Sequence, residues 1–388
     1  MSDSRTWTRR EALGILGMGV AATALPEFAS AATPAFPKGS VIRTILKDYA
    51  PDELAGGATL FHEHMSFADN FMTRWTGYAV DTRRENALPG APQPGGAAQG
   101  AGRAGGPATA PPPPPVTASG KYFMQDLDFM VEEMKIAKGE GISCIVDGGH
   151  ADMGRDISFL RQLSQQSGLP IVAGGGFYTQ PFYPKEISTM SEEQIYQALL
   201  KQVDTEPLGC FGEIGSWDYI TKDERKVFRA VGRASVTTNL PIFTHTGIPG
   251  KSALEQLDLL EDVGVDPKKI VNGHLGNLTD PNDEVHRAVC RRGAFIGFDR
   301  QGSAGDAQQV PLVMKLLEAG YADNLMFASD LSGIQQTKKG GGPGYARTLT
   351  VFGPKLKAAG ASDELLRQIM QDNPRRFLAF VPKKPRRG

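Results

Sequence analysis

Cysteine is scarce in this 388-residue chain: Cys144, Cys210 and Cys290 are the only three, and they lie far apart. An odd, scattered set is neither a disulfide framework nor a zinc-finger array. Net charge is also missing. The 42 Lys and Arg against 43 Asp and Glu leave −1, so no field of one sign exists to hold a polyanion, and nucleic acid is not an expected partner. No predominantly apolar run reaches the roughly 20 residues of a membrane-spanning helix. Hydrophobic residues make up 40% of the chain, enough for a large core. The length suits two ordinary domains or one α/β barrel, which needs about 250 residues before insertions.

Two segments stand apart from that core. Near the start, Arg9-Arg10 precede a weakly apolar stretch, Ala12 to Leu25, and the small-x-small word Ala29-Ser30-Ala31. Basic residues before a short apolar run and a small-residue site read as an export signal rather than an amphipathic helix. The pair in Thr8-Arg9-Arg10-Glu11-Ala12-Leu13 resembles a twin-arginine signal, a route that moves folded cargo. Residues 1–32 are therefore expected to direct the chain to the periplasm or outside the cell. The second segment, about 88–119, is built from Pro-Gly and Gly-Ala pairs and the run Pro111 to Pro115. With almost nothing apolar to bury, it is expected to be a disordered insertion within one domain spanning 40–381.

That domain alternates short β-rich runs with amphipathic helices. The strand candidates are Ala58–Phe61, Ser143–Val146, Pro170–Ala173, Leu208–Ile214, Pro241–Thr244, Lys269–Val271, Ala294–Phe298 and Asn324–Ala328. Helical spacing separates them, as in Glu193–Val203 and Lys222–Thr237. Eight strand–helix units are the count of a (β/α)8 TIM barrel, although a doubly wound sheet has the same alternation.

Polar residues at the strand ends decide between them. His62-Glu63-His64 closes the first strand, and residues i and i+2 of a strand point to one face, so both imidazoles can reach one ion. Glu213 lies in the fourth strand; His245, His274 and Asp330 end the fifth, sixth and eighth. Each alone reads as a hydrogen-bonded or capping side chain. Four of the six histidines, a Glu and an Asp at the ends of apolar strands read as a metal centre at the C-terminal face of a barrel. Cys210, inside an apolar strand, reads as core.

These words carry a resemblance: Thr59-Leu60-Phe61-His62-Glu63-His64, Gly154-Arg155-Asp156, Thr244-His245-Thr246, Gly273-His274-Leu275-Gly276, Gly342-Pro343-Gly344-Tyr345 and Asn373-Pro374-Arg375-Arg376-Phe377-Leu378. The chain resembles the amidohydrolase superfamily and, within it, the phosphotriesterase-related branch. The resemblance implies a dinuclear centre in which His62, His64 and Asp330 hold a buried ion, His245 and His274 hold a more exposed one, and Glu213 bridges the two. Many members carry a carbamylated lysine at that position; this chain, like some relatives, has Glu. Zinc is the first metal implied, with manganese, cobalt or iron as alternatives. The implied chemistry is attack of a hydroxide shared by the ions on a lactone or ester carbonyl, with Asp330 taking its proton. The same machinery could serve a phosphotriester, and a binding protein without turnover is the remote alternative. Phe177 and Tyr178 match aromatic pocket positions. Arg300, in Phe295-Ile296-Gly297-Phe298-Asp299-Arg300, is similar to an arginine near the leaving group in the branch's lactonases; a surface loop charge is the competing reading. A homodimer is implied as well. His150 is weighed as a site or loop histidine, and His286 as part of a solvated helix face.

The export reading makes a direct prediction. Replacing Arg9 and Arg10 together by Lys should strand the precursor in the cytoplasm, as read by cell fractionation. Normal periplasmic delivery of that variant would remove the argument.

Overall fold

The computed structural model describes residues 34–85, 116–217, 219–247, 252–278, 280 and 282–383. The expected export signal and residues 88–115 of the expected insertion lie outside that set. Residues 116–119 form a turn in which Thr117 Oγ1 and Ser119 Oγ donate to Asp126 Oδ2 at 2.5 and 2.7 Å. Asp126 in turn caps the helix Leu127–Gly139 by accepting from Phe129 N.

Eight parallel strands form a nearly closed barrel: β1 (Ala58–Glu63), β2 (Ile142–Asp147), β3 (Ile171–Gly175), β4 (Leu208–Ser216), β5 (Ile242–Thr246), β6 (Ile270–Asn272), β7 (Phe295–Phe298) and β8 (Leu325–Phe327). Each pairs in parallel with its sequence neighbour, as right-handed βαβ crossovers require. Closure comes just beyond the last strand, where Asp330 N donates to His62 O at 3.2 Å.

The strands are apolar on both faces because both faces are covered. Phe61, Cys144, Val146, Val172, Cys210, Phe243, Val271, Phe295 and Met326 share one buried cluster. The alternating residues Leu60, Ile145, Ile171, Phe211 and Ile242 belong to another, with the helices outside. Cys210 is fully buried, as expected of a core thiol, and burial pushes the Cys144 thiol up to about 12. Phe377 and Leu378, on the short helix Asn373–Leu378, join the first cluster. Asn373 Nδ2 donates to Leu325 O at 2.7 Å, fixing that helix to the start of β8.

The outer helices begin where their caps dictate. Ser191 and Thr221 form capping boxes with Gln194 and Glu224 at Glu192–Thr205 and Lys222–Thr238, the Ser/Thr-x-x-Glu/Gln pattern that satisfies two orphan donors at once. One helix was not anticipated. Phe71–Glu85 is the next element after β1, and its first turns bring Phe71 and Trp75 against Tyr178.

Candidate metal centre

The strand tips converge on one carboxylate. Glu213 is 1% exposed, and four imidazoles surround it. His245 Nδ1 and His274 Nε2 lie 2.6 and 2.9 Å from its Oε1. His62 Nε2 and His64 Nε2 lie 3.4 and 3.6 Å from its Oε2. Backbone geometry makes the approach possible. Gly212 has φ 146, and a Cβ there would sit 2.3 Å from the Phe243 ring, so glycine is required beside Glu213. A Cβ on Gly174 would lie 2.0 Å from Gly212 O, which lets β3 and β4 close tightly at the same level.

Asp330 completes the ring. Its Oδ1 is 3.2 Å from His64 Nε2, and its Oδ2 accepts from Arg300 Nε at 2.9 Å. Its backbone is left-handed, with φ 48, a conformation uncommon outside glycine that Asp tolerates better than most residues. Arg300 is therefore no surface charge; its side chain is 23% exposed and is held by Asp330.

The charges are mutually dependent. Burial raises the Glu213 carboxyl, but His62 and His245 outweigh it and hold it well below the usual carboxylate range. Burial pulls the His62 imidazole down, and Glu213, Asp299 and Asp330 reverse this to leave it raised. At His245 burial wins over Glu213, with His274 adding to it, and the imidazole falls to about 4. Against its own burial, Asp330 is kept low by His64 and Arg300.

The reading of strand ends missed Asp299, just past β7. Its Oδ2 lies 2.9 Å from His62 Nδ1 and its Oδ1 2.9 Å from His274 Nδ1, so both rings carry their proton on Nδ1 and turn Nε2 inward. This is how ligating imidazoles are commonly oriented. Asp299 stands at a strand tip like the other residues of the site, directly before Arg300.

Three groups bring potential ligand atoms within 4.8 Å of one another: His62, His64 and Glu213; Glu213, His245 and His274; and His62, His274 and Asp299. His62 Nε2 is buried without a hydrogen-bond partner and faces the Glu213 carboxylate at 3.4 Å. Nitrogen and carboxylate donors at these positions fit a borderline divalent ion.

The remaining expected residues divide. Tyr178 Oη accepts from Trp75 Nε1 at 2.9 Å and lies 3.1 Å from His245 Nδ1. Phe177 packs on Tyr183 at 6.3 Å and on the outer core, so Tyr178 is the one of the pair that reaches the histidines. His150 is buried outside the cluster, its Nδ1 3.6 Å from Asp152 Oδ1. His286 is not on a solvated face. It is fully buried, its Nε2 donates to Leu275 O at 2.8 Å, and it shares the inner side of its helix with Val289 and Cys290. The charged residues beside it in sequence hid that i, i+3, i+4 spacing.

The profile of the phosphotriesterase family matches residues 50–378. N-acetyltaurine hydrolase of Homo sapiens is 27% identical over 276 residues, covering 66% of this chain and 78% of that protein. Phosphotriesterase homology protein of Escherichia coli (strain K12) is 30% identical over 259 residues, covering 64% of this chain and 88% of that one. A crystal structure of the latter, complexed with phosphate in its active site, aligns with TM-score 0.66 at 25% identity over 85% of this chain and 100% of that chain. A resiniferatoxin-binding protein from Rhodobacter sphaeroides aligns with TM-score 0.70 at 24% identity over 88% and 95%, a likeness of fold.

Asp299→Asn tests the orienting carboxylate. An amide has one acceptor atom, so one of the two imidazoles loses its partner. The variant is predicted to fold normally and to lose affinity for added zinc by about 10- to 100-fold, the usual effect of removing such a partner. Wild-type affinity, measured by competition with a chelator, would contradict the role.

Proposed function

The chain belongs to the phosphotriesterase family, and from that premise we propose that this hydrolase acts on lactones or carboxylic esters with the help of two divalent ions. His62, His64 and Asp330 would hold one ion, His245 and His274 the other, and Glu213 would bridge them. Such ions, zinc first among the candidates, would lower the pKa of a shared water and polarise the substrate oxygen. The observation that carries this reading is the gathering of four imidazoles around the buried carboxylate of Glu213.

The chain's own groups have distinct tasks. Asp330, kept ionised by His64 and Arg300, can accept the proton of the attacking water as the leaving group departs. Tyr178 already accepts from Trp75, so its own proton is left to point at the His245 side. It can donate there to the oxygen that gains charge in the transition state. Arg300 binds Asp330 through Nε, and its Nη groups lie outside that bond; they can meet a tethered alkoxide as it forms. We place this chemistry in the periplasm, on the strength of the Arg9-Arg10 word, and in a homodimer, on the strength of the family resemblance.

A second reading is amide hydrolysis, favoured by the relatives named N-acetyltaurine hydrolase. An amine leaves only after protonation, so Asp330 would have to return its proton to nitrogen. Phosphotriester hydrolysis, with the same centre, is a third.

Arg300→Ala separates these substrates. Loss of the Asp330 partner should slow every reaction to some extent. Loss of the cation near a poor alkoxide leaving group should slow lactones by a further factor of about 10 or more, in line with removal of one transition-state contact. Turnover of wild type and variant on lactones, aryl esters, aryl phosphotriesters and N-acetyltaurine decides the matter. Equal losses on lactones and phosphotriesters would sink the lactone assignment, and N-acetyltaurine as the best wild-type substrate would replace it.

A further inference from the structure

The residue between His62 and His64 alternates with them along the strand and so faces the other way. Glu63 is fully buried. Its Oε1 accepts from Ser329 N at 2.6 Å and its Oε2 from Leu331 N at 3.0 Å. These are the backbone N–H groups on either side of Asp330. The peptide before Asp330 is held from its other end as well, because a guanidinium nitrogen of the buried Arg347 donates to Ser329 O. Asp330 N itself donates to His62 O. Between these anchors Asp330 takes its left-handed φ of 48, and from that backbone its carboxylate reaches His64.

We propose that Glu63 is a positioning residue for Asp330: its two carboxylate oxygens grip the flanking amides and hold the Asp330 carboxylate at the site. The geometry supports this over a general role in sealing the barrel. A sealing group needs one contact across the β1–β8 seam, whereas Glu63 straddles a single residue with both oxygens. That residue has a left-handed backbone, uncommon for a non-glycine side chain. Strand alternation explains the placement. With His62 and His64 on the site face, the intervening side chain must point to the opposite face, which is where the Ser329 and Leu331 amides lie. The His-Glu-His word would thus supply two ligands directly and hold a third, from the far end of the chain, through its middle residue.

The proposal rests on the reading of Asp330 as a metal ligand and is independent of the substrate. It is tested on the full chain loaded with Co(II), comparing wild type, Glu63→Gln, Asp330→Asn and the double variant. A glutamine keeps one acceptor and presents a donor to the other amide. Glu63→Gln should lose metal affinity, measured by chelator competition, by about 10- to 100-fold, and kcat should fall with little change in KM. In the Asp330→Asn background the same substitution should cost nothing further, because its effect passes through Asp330. Losses that multiply in the double variant, or wild-type affinity in Glu63→Gln, would overturn the proposal. Wild-type protein that binds no metal would overturn the ligand reading and this proposal with it. Weakened affinity in Asp330→Asn together with unchanged affinity in Glu63→Gln would refute only the positioning role. Should Glu63→Gln fail to fold, hydrogen exchange in the metal-loaded wild type still decides. The Ser329 and Leu331 amides should be strongly protected, and rapid exchange of both would contradict the grip.

Discussion

A carboxylate that is 1% exposed cannot stay ionised in a protein interior without partners, and Glu213 meets that constraint with four imidazoles. Removing one partner of a buried charge typically costs about 3–5 kcal/mol. The barrel is the means by which the partners arrive. Strands β1, β5 and β6 each deliver their histidines at the level where β4 places Glu213. The glycines at 174 and 212 let backbone and ring approach closely enough for it. The parallel sheet, the tight β3–β4 contact and the left-handed turns at His274 and Asp330 all converge on the surroundings of that one group.

Around this centre lies a ring of hydrogen-bonding groups that fix orientation. Asp299 joins His62 to His274, and Glu63 and Arg347 hold the backbone that carries Asp330. Residues more than 200 positions apart are thereby tied together, β1 to the segment after β8. Aromatic packing closes another side: Trp217 lies 5.6 Å from the His245 ring and 5.7 Å from Trp75. The site is thus framed by groups whose own positions are set by hydrogen bonds or by ring packing, the condition for geometry held ready before a substrate arrives.

Much of this was legible in the sequence, for a physical reason. Strands buried on both faces read as short apolar runs, so a polar residue at the end of one is conspicuous. That contrast exposed His62, His64, Glu213, His245, His274 and Asp330, and the strand–helix alternation supplied the barrel. What stayed hidden lacked such contrast. Asp299 sits beside a charged residue and looked like part of a loop; Glu63 was overshadowed by the histidines flanking it. The inward turn of His286 was masked by acidic and basic neighbours on the outer side of its helix. Phe177 and Tyr178 are adjacent and both aromatic, and only the backbone direction after β3 sets the Tyr178 hydroxyl beside His245. Trp75 depends on a helix whose amphipathic pattern is weak and whose contact with Tyr178 spans 103 positions.

We propose that the imidazoles and carboxylates around Glu213 form one dinuclear centre. Its most direct measurement is elemental analysis of the purified protein after dialysis, paired with a titration of metal into chelated protein. The account predicts saturation at about two divalent ions per chain, with hydrolysis appearing as the second ion binds. A folded protein that hydrolyses its substrate with one ion or none would contradict it.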